Sequence, residues 1–266
     1  MSQKAKPIKP KKSSFEKEQI FVRISTQIFL VIVIIVSVLI AFKNTFGNLD
    51  STQDGTSATA LEFLSQPVNA EALISRPLDD LNKPALISKI ESSNWNLLSN
   101  GEFDYDKYNS EQISAEHDLI LTDEELGLIY SYLFVNHTDK YDIILYELTI
   151  TIENDITYIK TVASIDFYKL FINKLGETTN SNSSLPRRIY VSNQMIISGG
   201  EYTYNQAMIN NLTKEQSAEV LNLIKSVNNS NLNSYIPSLV VSFATSLSNK
   251  TATTISYSNN QIAFTK

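Results

Sequence analysis

The stretch YDIILYELTITIENDITYIKTVASIDFYKLFI, residues 141–172, decides the fold. From residue 144 it alternates: Ile144, Tyr146, Leu148, Ile150 and Ile152 share one face, and Glu147, Thr149, Thr151 and Glu153 share the other. A period of two is the signature of a strand buried on one side. Asn154-Asp155 then supplies residues that tolerate left-handed backbone, so Ile156 to Ile172 returns as a second strand of a long antiparallel hairpin. In the return arm the apolar set changes parity between Tyr158 and Ile159, which predicts a bulge or bend near residues 158–160.

Working outward, residues 173–186 read as a polar loop. Arg188 to Ile197 and Tyr202 to Asn210 read as a second strand pair around Gly199-Gly200, and Thr251 to Tyr257 with Gln261 to Thr265 as a third, joined at Asn259-Asn260. Three helices fall between them: Asp123 to Val135, Lys214 to Val227, and Tyr235 or Pro237 to Ser248. The first two begin alike. In LTDEE and LTKEQ a Thr precedes the helix and a Glu or Gln follows three residues later, Thr122 with Glu125 and Thr213 with Gln216. That is the capping-box spacing. Asp123 and Glu124 lie in the first turn, where the helix dipole favours negative charge. Before this region, Pro67, Pro77 and Pro84 break residues 58–98 into two or three short helices, and residues 99–112 read as a loop.

The N-terminal end has a different character. Ile24 to Phe42 holds 19 residues without a charge, enough for a transmembrane helix at about 1.5 Å per residue. No small-residue cleavage site follows, so the span reads as an uncleaved anchor. Residues 1–23 carry seven basic side chains against two acidic ones, and the rest of the chain has 15 against 26. The positive-inside rule therefore puts the head in the cytoplasm and everything after the span outside the cell membrane. The organisation expected is a basic head (1–23), a span (24–42), a flexible tether (43–57), a short-helix segment (58–114) and an α+β exterior domain (115–266). An acidic exterior excludes nucleic acid as a partner. With no cysteine, that domain rests on its core alone.

No motif points to an enzyme or a cofactor. The two histidines, His117 and His137, lie beyond the ends of the first helix without ligand spacing, and Asp104 to Asn109 lacks the glycine and glutamate of a calcium loop. The acidic run is helix punctuation, and no metal site is expected.

What remains is an antiparallel sheet with one markedly apolar face. Leu126, Ile129, Tyr130 and Leu133, at i, i+3, i+4 and i+7, face Ile144, Tyr146, Leu148 and Ile150 of the hairpin; together they either fill a core or wall an apolar groove. The head, the span, the LTDEE helix start and the long hairpin resemble the YpmS-like single-pass proteins of Gram-positive bacteria and, more distantly, TULIP-like lipid-binding domains. The resemblance covers residues 115–266 and departs in the long segment between span and helix. It implies a curved sheet of long hairpins packed by short helices, and non-enzymatic binding of a lipid or other apolar ligand at the envelope. The alternative is an envelope scaffold for cell-wall or membrane assembly machinery, binding a protein through a sheet edge or the N-terminal helical segment. A continuous cavity between helix and hairpin favours the first; a filled core with an exposed patch favours the second.

Overall fold

The hairpin at the centre of the sequence is also the centre of the structure. In the computed structural model, which describes residues 56–110, 113–134, 142–169, 186–228 and 231–266, β4 (Ile144–Glu153) pairs antiparallel with β5 (Ile156–Asp166). Both turn residues have positive φ, 51° at Asn154 and 62° at Asp155, as a two-residue I′ turn requires. The expected head, span and tether lie outside the described residues, apart from Thr56 and Ser57, which open α1 (Thr56–Leu64). No helix among the described residues is long and apolar enough to cross a membrane.

The fold is α+β, with antiparallel sheets and several helices, and residues 56–266 form one unit. After α1 come two single 3-10 turns (Ala70–Ala72 and Asp80–Asn82) and α2 (Lys83–Ser92). The stretch expected as a loop holds a small hairpin, β1 (Leu98–Ser99) with β2 (Glu102–Phe103), and α3 (Tyr105–Asn109). Asp104 is the cap of α3, accepting from the amides of Asp106 and Lys107. Next, β3 (Leu119–Thr122) runs straight into α4 (Asp123–Phe134). The five-stranded sheet runs β4-β5-β6-β7, with β6 (Arg188–Ser198), β7 (Glu201–Tyr204) and a short β8 (Met208–Ile209) also on β6. Helices α5 (Lys214–Asn228) and α6 (Leu232–Thr251) follow, and β9 (Thr254–Ser258) and β10 (Gln261–Thr265) complete a second, three-stranded sheet ordered β3-β10-β9.

Four expectations need correction. The register shift lies in β4, between Leu145 and Glu147, whereas β5 is unbroken through residues 158–160. The extra residue sits in the outgoing arm, so Leu145 and Leu148 both reach the core, while Ile144 turns outward (43% exposed) and Glu147 is wholly buried. The second return strand is interrupted after Tyr204, where the Ala207 amide donates to the Asn233 side chain (2.8 Å), and resumes on β6 at Met208. The longer strands form two sheets besides the β1–β2 hairpin, with β3 on the outer edge of β10.

Finally, α6 starts three residues before Tyr235, capped by Asn231, and keeps Pro237 inside it. Proline has no N–H to give the carbonyl four residues back, that of Asn233. The side-chain amide of Asn193 on β6 donates to that carbonyl instead, at 2.9 Å. The helix therefore tolerates its proline because the sheet beneath supplies the missing donor.

Candidate functional site

Most of the residues expected to wall a groove meet in the core. Leu126, Ile129, Tyr130 and Leu133 of α4 and Leu148 and Ile150 of β4 are all buried. The space left among Leu126, Leu148, Ile150, Ile159, Val240 and Ala244 is a cavity of about 10 Å³. That is room for about one water-sized sphere, so an acyl chain does not fit there. Tyr130 instead joins an aromatic cluster, stacked on Phe134 at 4.7 Å and edge-on to Phe243 at 5.5 Å. Ile144 and Tyr146 leave the group: Ile144 faces out, and Tyr146 lies half-buried with its ring 5.7 Å from that of Tyr190.

The capping boxes form as spaced. The Thr122 hydroxyl accepts from the Glu125 amide at 3.0 Å while Glu125 accepts from the Thr122 amide at 2.8 Å; Thr213 and Gln216 do the same at 3.3 and 2.9 Å. The acidic run also does more than the spacing implies, because each carboxylate holds a different neighbour. Asp123, wholly buried, accepts from the Ile150 amide at 2.9 Å and from the Arg76 guanidinium at 2.8 Å. Glu124 accepts from the Asp79 amide at 2.9 Å, and Glu125 pairs with Lys89 of α2 at 2.6 Å.

A fourth carboxylate, Glu147, completes the set from the other face of β4. It accepts from the Ser75 amide and hydroxyl, both at 2.7 Å, and from Lys160 at 2.9 Å; Lys160 also donates to the Ser75 hydroxyl at 2.8 Å. A serine between a carboxylate and a lysine invites a nucleophile reading. The electrostatics oppose it: burial alone would raise the Glu147 pKa, but the bonds from Lys160 and Ser75 outweigh burial and hold it below the usual carboxylate range. A carboxylate so stabilised is a poor base for the Ser75 proton. The chemistry of this trio is that of a clamp.

The open site lies on the same face of the sheet, at its β7 end. Met195 of β6, Tyr202 and Tyr204 of β7, and Ser238, Val241, Ser242, Thr245, Ser246, Asn249 and Lys250 of α6 line a groove of about 800 Å³. Register explains its floor: Ile150, Ile159, Met195 and Tyr204 stand in one row across the sheet. The face that packs under α6 thus runs on past it into tyrosines, 54% exposed at Tyr202 and 38% at Tyr204. The Tyr204 hydroxyl touches that of Ser238 at 3.0 Å, and Lys250 closes the other end with its ammonium 4.2 Å from the Tyr108 ring. Tyr257, which lines the small cavity with Val240 and Ala244, is pushed up to about 12, by burial chiefly and by the neighbouring Tyr202 secondarily.

One strand edge beside the groove is open. The Asn205 amide donates to the Gln194 carbonyl, so by alternation residues 201 and 203 also point their backbone groups at β6, and Tyr202 and Tyr204 point theirs away. No hydrogen bond among the described residues engages those groups. The opposite edge, β4, is engaged at three of its residues: the Tyr146 carbonyl accepts from Leu78, the Ile150 amide donates to Asp123 and its carbonyl accepts from Asn260, and the Ile152 amide donates to the Asn259 side chain. The sequence reading missed the α6 wall, although its signal was there: hydroxyl and amide residues at 238, 242, 245, 246 and 249 form a stripe opposite the buried Val240, Phe243 and Leu247. Nothing in the sequence pairs Ser75 with Glu147 or Arg76 with Asp123, since those contacts join distant segments. No protein-family model, curated protein or solved structure matches the chain.

Proposed function

We propose that this chain is a single-pass membrane protein of the cell envelope, anchored by residues 24–42 with its N-terminus in the cytoplasm. Its exterior domain is a non-enzymatic interaction module that binds an extended segment of an envelope protein along β7. The observation that carries the reading is the open β7 edge beside a long groove, in a sheet whose other edge is bonded at Tyr146, Ile150 and Ile152. An unpaired edge is a template for one more strand, giving affinity through main-chain hydrogen bonds and selectivity through alternate side chains. From Ser238 to Lys250 the helix wall is roughly 18 Å long at 1.5 Å per residue. That length takes about five residues of strand at roughly 3.3 Å each. Every second side chain of the guest would face the hydroxyl stripe of α6 and the rings of Tyr202 and Tyr204, which offer hydrogen bonds and aromatic contact.

Lipid or another apolar ligand, the reading that the family resemblance implies, has one foothold in the same groove, on Met195 and Val241. One experiment separates the two. A photo-crosslinking amino acid replaces Tyr202 in the full chain, in cells, with Tyr204→Pro and Tyr204→Phe as companions. Proline at 204 removes an outward N–H without touching a bond to β6; phenylalanine keeps the edge and loses only the hydroxyl. A polypeptide adduct lost in Tyr204→Pro and kept in Tyr204→Phe supports strand addition. Adducts to lipid alone favour the apolar-ligand reading, and polypeptide adducts indifferent to the proline refute the β7 site.

A further inference from the structure

The segment that joins α1 to α2 is held in an unusual way. Between Leu64 and Leu86 no described residue belongs to the buried apolar core, yet polar groups of the body grip the segment at every few residues. Asn69 exchanges two hydrogen bonds with the side chain of Asn211, at 2.7 and 2.9 Å. Ser75 is held by Glu147 and Lys160, Arg76 by Asp123 and by Asn260 at 3.2 Å, the Asp79 amide by Glu124, and Asp80 by the Tyr132 hydroxyl at 2.8 Å. A single backbone bond joins it to the sheet, from the Leu78 amide to the Tyr146 carbonyl at 3.0 Å. Beside that bond the half-buried Leu78 side chain sits over Gly127: a Cβ added to Gly127 would stand 2.9 Å from Leu78 Cδ2 and 3.3 Å from Leu148 Cβ.

Such a segment can detach at little apolar cost. Helices and strands that bury leucines lose that burial when they open; this one loses charge-assisted hydrogen bonds to groups that water can replace, and the core beneath stays whole. We infer that residues 69–80 form a strap that opens as a unit while both sheets and the helices remain folded. What it uncovers is specific: the Tyr146 carbonyl on the β4 edge, next to a slot on the α4–β4 seam that exists because residue 127 has no side chain. A hydrogen-bond acceptor on a strand edge beside a slot for one apolar side chain fits an extended segment carrying a leucine-like residue. Leu78 is the intramolecular occupant of that slot, so the strap keeps this stretch of the β4 edge, at Tyr146, closed until it is displaced.

Hydrogen exchange read by mass spectrometry, on the full chain in lipid nanodiscs, tests this. Fragments covering 69–80 are expected to exchange at least tenfold faster than those covering β5 and β6. Opening of the strap exposes little surface, so its exchange should change little with sub-denaturing urea while that of β5 and β6 rises with it. Ser75→Ala, at an exposed position, and Gly127→Ala, which fills the slot, should each speed 69–80 by a further tenfold. Exchange of 69–80 in step with β5 and β6 across the urea series, or no acceleration of 69–80 in the Ser75 variant, would overturn the inference.

Discussion

Replacing Asp123 by alanine separates two accounts of the acidic run. If the residue served only the helix dipole, its loss would cost about 0.3 to 1 kcal/mol. In the structure it is wholly buried and bonds the Ile150 amide inside the fold. A hydrogen bond to a charged group contributes roughly 1.5 to 3 kcal/mol, and the amide left behind is far from water. The bond to Arg76 adds less, because the Arg76 side chain is 36% exposed and regains solvent when Asp123 goes; about 0.5 kcal/mol is reasonable for it. The total expected is about 3 kcal/mol. Asp123→Asn keeps an oxygen for Ile150 and should lose only about 1 kcal/mol of this. Urea unfolding of the full chain in nanodiscs measures both. The single tryptophan, Trp95, reports the transition, since it is buried, donates to the His117 carbonyl at 3.0 Å and meets Phe264 edge-on at 5.2 Å. A loss under 1 kcal/mol in Asp123→Ala would refute the reasoning and return the residue to a dipole role.

Thr122→Ala removes half of a capping box and should cost about 1 kcal/mol in the same titration, with no change in slope. Ala252 ends α6 with a left-handed φ of 54°, so Ala252→Gly should stabilise by about 0.5 to 1 kcal/mol; a destabilised variant would mean the backbone there is not left-handed. Glu147 has its folded pKa lowered, so the stability it contributes is complete above the unfolded carboxylate pKa and disappears as pH falls through the folded one. Glu147→Gln should therefore flatten the acid limb of the stability profile, and a limb of unchanged steepness would speak against the clamp. In an alkaline absorbance titration, Tyr257→Phe should remove a tyrosinate step near pH 12.

The sequence made local structure legible and long-range polar structure illegible, for a physical reason. Capping boxes and two-residue turns are set by neighbours within four positions, so Thr122 with Glu125 and Asn154 with Asp155 could be read directly. Alternation in β4 was legible too, but one extra residue beside Tyr146 reversed the faces upstream of it, and alternation alone cannot say which arm holds the bulge. Alternation puts Glu147 on the face opposite the apolar set, which a strand buried on one side leaves to solvent. The burial of Glu147 depends on Lys160 and Ser75, and Ser75 lies 72 positions away in the chain. The open groove escaped for a related cause: its polar wall is the half of α6 that faces away from the core, and a polar helix face ordinarily means solvent.

The unequal treatment of the two sheet edges bears on how a weak site can suffice. β7 offers a guest strand only the backbone groups of Tyr202 and Tyr204, a few hydrogen bonds that each contribute about 1 kcal/mol net. Against the roughly 4 to 15 kcal/mol that free association costs, so short an edge holds a partner poorly in bulk solution. On the proposed tether the encounter is different. Two chains anchored in one membrane meet at effective concentrations that reach millimolar for short linkers, so a site with millimolar intrinsic affinity is about half occupied. A short open edge would then be selective for membrane-bound partners without capturing soluble chains. Cutting the tether should lower occupancy of β7 at unchanged fold, while lengthening residues 43–55 with Gly-Ser repeats should lower it gradually. Crosslinking yield at Tyr202 measured across such a length series distinguishes this from a site that binds tightly by itself, for which yield would not change with linker length.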